Sequence, residues 1–270
     1  MQSVKFSPDG RRVLATSKGD AVLIWDVQSG ALLQTLSGAS KAGDAVAWSH
    51  DGKFVALESG KVLKIWDTQT GILKIEQPLE SSATEVQFSS DDSHLLVVGS
   101  EQGPAIYSAS NLALSLRLQG HRARVHWGRF LPRSSQIITA AENGELGLWD
   151  GYHGRLLGLS ESSRGSTGGV ALSPSGRRVL VIGEDRTVRV YEVPIFSHQW
   201  TAPTLLTGHA KTIVSAAFHP NEEEIVTAST DGTVRLWEVS TGHERAVFAT
   251  NVTMNSSSAA RNNTRYRLPP

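Results

Sequence analysis

The chain has 270 residues, 39% of them apolar, and its 26 Lys and Arg balance 26 Asp and Glu. A neutral chain lacks the basic stripe that a nucleic-acid sleeve requires, and without cysteine it has neither a disulfide framework nor a thiolate-rich zinc site. No apolar run reaches the ~18 residues of a membrane span and no apolar leader opens the chain, which together predict an intracellular protein, cytoplasmic or nuclear.

Short apolar runs cut by turn signals begin at once. Ser3-Val4-Lys5-Phe6 leads through the turn Ser7-Pro8-Asp9-Gly10 to Val13-Leu14-Ala15, and then to Ile24-Trp25-Asp26. Runs this short, rich in β-branched and aromatic residues and bounded by Gly, Pro, Asn or Asp, read as strands of an antiparallel meander. The same order then recurs. The residues closing each first strand are Phe6, Trp48, Phe88, Phe130, Leu172 and Phe218. The aromatics ending each third strand are Trp25, Trp66, Tyr107, Trp149, Tyr191 and Trp237, and both series advance in steps of 40 to 46 residues. Six copies of a four-stranded unit are therefore predicted, over about 2–37, 38–79, 80–119, 120–160, 161–207 and 208–250.

The third copy diverges most, with Tyr107-Ser108 at its aromatic position and Gly103-Pro104 before it. Pro104 is expected at a strand end, because proline cannot donate to a ladder. The fifth copy has a Gly/Ser-rich loop from Ser160 to Gly169 and an insertion, Ile195 to Pro203, carrying Phe196 and Trp200; this insertion accounts for the longer last step. The sixth copy is the clearest, with runs Ile213 to Phe218, Ile225 to Ser229, Thr233 to Trp237 and Arg245 to Phe248. After Thr250 the pattern stops. Residues 251–270, with Arg261, Arg265, Arg267 and no acid, read as a disordered polar arm.

Ile24-Trp25-Asp26, Ile65-Trp66-Asp67, Leu148-Trp149-Asp150 and Leu236-Trp237-Glu238, with the pairs Gly120-His121 and Gly208-His209, resemble the WD40-repeat family. The resemblance implies an all-β, WD40-type β-propeller over residues 1–250, with six four-stranded blades visible. Propellers of this type mostly have seven blades. The expectation is therefore a six-bladed ring closed by side-chain packing or, favoured by the start of the pattern at Met1, part of a longer seven-bladed ring.

In the sixth copy the resemblance places a structural tetrad at His209, Thr227 (or Ser229 on the same face), Asp231 and Trp237. Thr, His and Asp together invite a hydrolase reading. However, a nucleophile must be exposed beside an oxyanion hole, and no Gly-x-Ser-x-Gly is present. Six residues before the marker aromatics stand Gly19, Gly60, Glu101, Asn143, Asp185 and Asp231, so the tetrad is expected to be complete only in the sixth copy. The nine histidines lack ligand spacing, and no phosphate-cradling Gly-x-x-x-x-Gly-Lys occurs. No catalytic residue, metal site or cofactor is predicted.

What remains is the loop face, where the loops before the first strands meet the turns after the second. It displays Arg122, Arg124, Arg164, Arg186, Lys211, Glu142 and Glu184, alongside Lys18, Asp20 and Lys41. Mixed charge with several arginines suits docking of peptides or partner proteins, acidic or phosphorylated ones in particular. The expected function is a non-catalytic interaction scaffold. An RNA-associated scaffold is the alternative, and a small-ligand-binding or enzymatic propeller ranks last. Nucleic acid and membrane are not expected partners. As the wedge of the sixth copy, Trp237 is expected to cost ~3–5 kcal/mol in urea unfolding when cut to alanine.

Overall fold

The computed structural model describes residues 3–16, 21–39, 42–161 and 166–249, giving the backbone alone for 42–44 and 166–168. The expected arm at 251–270 lies outside the described residues, as do Lys18, Asp20, Lys41 and the rim residue Arg164. The chain divides into two compact units between Ser160 and Glu161.

The first unit holds four sheets. They comprise Ser3–Phe6, Arg12–Thr16, Ala21–Asp26 and Leu32–Ser37; then Ala42–Trp48, Phe54–Ser59, Val62–Asp67 and Leu73–Pro78. The third is Glu85–Phe88, His94–Val98, Ala105–Ser108 and Leu114–Arg117, and the fourth Val125–Phe130, Gln136–Ala141, Leu146–Asp150 and Leu156–Leu159. The second unit holds two more: Ser166–Leu172, Arg178–Gly183, Val188–Glu192 and Thr204–Leu206, then Ile213–Phe218, Glu224–Ser229, Thr233–Glu238 and Glu244–Ala249. Each is an antiparallel meander with its strands in sequence order. All six predicted closing residues end a first strand, and all six marker aromatics are the penultimate residue of a third strand. Pro104 sits just ahead of its strand, where its carbonyl accepts the Leu118 N–H at 2.8 Å.

The strands of the second and third sheets read as continuous apolar runs because these sheets bury both faces. In the second sheet Val55, Leu57 and Trp66 pack on Leu14, Ile24 and Leu36 of the first. The intervening Ala56 and Ile65 turn the other way, onto Phe88, Leu95 and Tyr107 of the third. Alternation of side chains along a strand thus feeds two cores rather than one core and solvent. Leu96 and Ile106 repeat this against Ile137 and Trp149 of the fourth sheet. In the second unit Leu180 and Val190 of the fifth sheet meet Ile225 and Trp237 of the sixth. Fully burying a Leu or Ile contributes about 1.5–3 kcal/mol, so the stack of sheets is the main source of stability.

Neighbouring sheets are also tied at the turns between their first and second strands. Gly10, Gly52 and Gly176 take left-handed φ values of 70°, 69° and 75° in these turns, but Asp92 and Glu222 adopt φ of 57° and 62° at the matching place. A side chain there carries strain that glycine avoids, and something must offset it. Asp92 accepts the His50 and Asp51 N–H groups of the preceding sheet at 2.8 and 3.0 Å, and lies 2.9 Å from His50 Nδ1. Glu222 accepts the Ser175 hydroxyl at 2.7 Å and also the Ser175 N–H. Asp92→Ala should lose the tie and keep the strain, costing ~1–3 kcal/mol. Asp92→Gly loses only the tie and should be milder by ~1 kcal/mol. Paired urea titrations check this, and an equal loss for both would show that φ at this turn is unstrained.

Candidate functional site

In the sixth sheet the four tetrad residues form one hydrogen-bonded chain. Trp237 Nε1 stands 2.8 Å from Thr227 Oγ1, which stands 2.7 Å from His209 Nε2. His209 Nδ1 lies 2.9 Å from Asp231 Oδ2. An indole N–H can only donate, so the threonine oxygen accepts it and turns its own proton to His209 Nε2. His209 then carries its proton on Nδ1 and donates to the carboxylate. Ser229, the alternative for the threonine position, instead donates to the Lys211 carbonyl at 3.1 Å and accepts the Asp231 N–H at 3.1 Å. Burial alone would raise the Asp231 pKa. Donors from Thr233, His209 and the Ala210 N–H outweigh it and hold the carboxyl well below the usual carboxylate range. Thr227 is 1% exposed and its hydroxyl is committed on both sides, so this chain pins a loop and offers no nucleophile.

The sequence reading missed a second such chain in the fourth sheet. Trp149 Nε1 donates to Thr139 Oγ1 at 2.7 Å, and Thr139 Oγ1 lies 2.6 Å from His121 Nε2. Its acid is Glu145, 3.4 Å from His121 Nδ1, where the spacing pointed to Asn143. A longer side chain placed two residues later reaches nearly the same point. The fit is poorer: Glu145 is 1% exposed, and its Oε1 and His121 Nδ1 make no hydrogen bond. Burial pushes the His121 pKa down, against the opposing pull of Glu145. Threonine was the available signal, because Thr139 and Thr227 both stand two residues beyond the partner of the tryptophan on the second strand. In the second sheet Leu57 fills that position, and Trp66 Nε1 donates to the Ser37 carbonyl instead, at 3.3 Å.

The Gly-His pairs follow from the same packing. Gly120 and Gly208 take φ of 151° and 155°, and the indole approaches each closely. A β-carbon would stand 3.1 Å from Leu156 Cδ2 at Gly120 and 2.6 Å from Arg235 Nη1 at Gly208, with the indoles 3.4 and 3.3 Å away.

The profile of the family described as WD domain, G-beta repeat matches residues 2–26 and 200–238, the second stretch containing all four residues of this tetrad. These matches, with the relatives below, support the WD40-repeat family for this chain. Its fold class is the WD40-type β-propeller. Among curated relatives, ribosome biogenesis protein YTM1 of Yarrowia lipolytica is 22% identical over 241 residues, covering 88% of this chain and 45% of that protein. Actin-interacting protein 1 of Drosophila melanogaster is 24% identical over 241 residues, covering 86% and 39%. A guanine nucleotide-binding protein subunit beta of Arabidopsis thaliana is 27% identical over 146 residues, covering 53% and 39%. The chain thus spans less than half the length of these three relatives. WD40-repeat proteins are generally protein-interaction scaffolds.

Among the WD40 repeats of the first unit, the loop leading into the fourth blade and the turn after the second strand of the third enclose an open cleft of about 460 Å³. Glu101, Gln102, Arg122 and Arg124 line it, and Gly120-His121 forms part of its wall. Arg124 is committed. Its Nη2 donates to the Gly99 carbonyl at 2.9 Å, and its Nη1 lies 3.8 Å from exposed Glu142. Arg122 is exposed and has no partner among the described residues. In the second unit Arg186, at φ 65°, donates to the Ala210 carbonyl at 3.0 Å, while Lys211 and Glu184 are exposed. Of the rim arginines described, Arg122 alone keeps an uncommitted guanidinium. Among the described residues no three His, Asp or Glu gather as a metal-binding group, and no helix is long and apolar enough to cross a membrane.

The two histidine chains differ in a way that stability measurements resolve. A carboxyl with a depressed folded pKa stabilises fully above its ordinary value of 3.8, and that contribution is lost as pH falls toward the folded value. Asp231→Asn should therefore cost ~1–3 kcal/mol at neutral pH in urea unfolding, with the gap from wild type closing below about pH 4. Glu145→Gln should be neutral or stabilising, since it removes an incompletely paired buried charge while keeping an acceptor for His121. A larger loss at Glu145 than at Asp231 would reverse this ranking.

Proposed function

We propose that this chain is a non-catalytic, intracellular interaction scaffold that docks partner polypeptides on its loop face, with the cleft between the third and fourth blades as the contact in the first unit. The observation that carries this reading is the pair Arg122 and Arg124, one guanidinium free and the other held by backbone, beside a cleft with a buried wall. A held arginine fixes the geometry of the site, and a free one gives charge-assisted, bidentate bonding to a carboxylate or phosphate. An acidic or phosphorylated segment is the partner chemistry this favours. The relatives, an actin-interacting protein and a subunit of a guanine nucleotide-binding protein among them, support membership of protein assemblies.

Affinity capture with the wild-type chain and with Arg122→Glu tests the reading, with Arg245→Glu as an exposed control on a different sheet. Arg122→Glu should remove partners whose wild-type binding weakens steeply with salt, while the control retains them. A partner set unaltered by Arg122→Glu would take this cleft out of the docking surface.

A further inference from the structure

We propose that the groove between the second and third sheets binds an arginine side chain presented by a partner polypeptide. This site is separate from the loop-face cleft, and the chain itself shows what such a groove accepts. Between the first and second sheets the groove is filled by Arg12, the first residue of its strand. The Arg12 guanidinium carbon lies 4.9 Å from the ring centroid of Trp48. Its Nη2 donates to the Gly52 carbonyl at 2.7 Å and its Nη1 to Thr68 Oγ1 at 3.0 Å. In the fifth sheet Arg178 holds the same register position and donates to the carbonyl of Glu222, the counterpart of Gly52, at 3.0 Å. The fold therefore seats a guanidinium at this place twice, each time on the carbonyl of a left-handed turn residue.

Between the second and third sheets the seat is vacant of any such side chain. Phe54 stands where Arg12 does, Phe88 replaces Trp48, Asp92 replaces Gly52 and Ala109 replaces Thr68. The Asp92 carbonyl receives no donor among the described residues. The groove holds about 750 Å³, and beside Arg12 the one between the first and second sheets leaves about 450 Å³ open. Its apolar lining includes partly exposed Phe54 and the buried Ile65 and Phe88, and two carboxylates border it, Asp51 paired with Lys53 at 3.0 Å and Asp92 held by His50 and the Asp51 N–H. A guanidinium entering it meets an aromatic face, an unused carbonyl and negative charge, the combination that favours arginine over lysine. The exposed Lys74 is the one Lys or Arg in the lining and opposes the ligand.

The probe is the peptide acetyl-Gly-Gly-Arg-Gly-Gly-amide, titrated into the full chain and followed by amide chemical shifts, with lysine and citrulline peptides as comparators. The arginine peptide should shift Asp92, Ser93 and Ser110, and bind about fivefold or more tightly than citrulline, which keeps the shape and loses the charge. Lys74→Glu, an exposed change that leaves the packing intact, should tighten binding by about threefold or more. Phe54→Arg, which supplies the groove with its own plug, should abolish the shifts. Equal binding of arginine and citrulline peptides, an affinity indifferent to Lys74→Glu, or no shift up to about 10 mM peptide would overturn the proposal. Shifts confined to Glu101, Arg122 and Arg124 would also overturn it, by assigning the arginine peptide to the loop face.

Discussion

An indole N–H has no acceptor capacity, and that restriction orders the loop face of each complete repeat. Once Trp237 is buried as the wedge of its sheet, its N–H must find an acceptor, and Thr227 is the one in reach. The direction of every later proton follows, through His209 to Asp231. The loop before the first strand is thereby tied to the turn after the second. Where threonine is replaced by Leu57, the same need sends Trp66 to a carbonyl of the preceding sheet. A buried donor thus acts either within its own sheet or across to the next, according to one residue on the second strand.

Cohesion between sheets rests on a different set of contacts. Apolar alternation supplies the bulk of it, but the turns add specific polar ties that point the same way in both units. Asp92 and Glu222 reach back to the preceding sheet from strained backbone, while Arg12 and Arg178 reach forward to the following one. At Glu222 the two devices converge on one turn residue, whose side chain and carbonyl both serve the preceding sheet. Between the second and third sheets the backward tie is present and the forward arginine is not. That asymmetry opens the groove assigned to an external guanidinium.

On the loop face, the contacts that stabilise it also occupy the two buried threonine hydroxyls. Thr227 and Thr139 have their hydroxyls engaged between an indole and an imidazole, and both are buried. Arg122, the uncommitted arginine of the described rim, lies outside these chains, so the docking proposed for it would use residues other than those that hold the same loops. That separation lets partner specificity change without loss of the fold.

Read as sequence, the chain determined its fold class and its periodicity. Six closing residues and six wedge aromatics recur at fixed spacing because strand length and the two-sided burial of each sheet leave little choice of residue there. Tertiary structure alone decided which polar groups meet. Glu145 was overlooked because a carboxylate on a longer side chain reaches His121 from two residues beyond the expected position, a compensation that depends on three-dimensional reach. The ties at Asp92 and Glu222, and the seating of Arg12 and Arg178, join residues some 40 or more apart on adjacent sheets. Spacing records which residues share a register, but hydrogen bonds between sheets depend on backbone φ, side-chain length and the twist that brings two turns together.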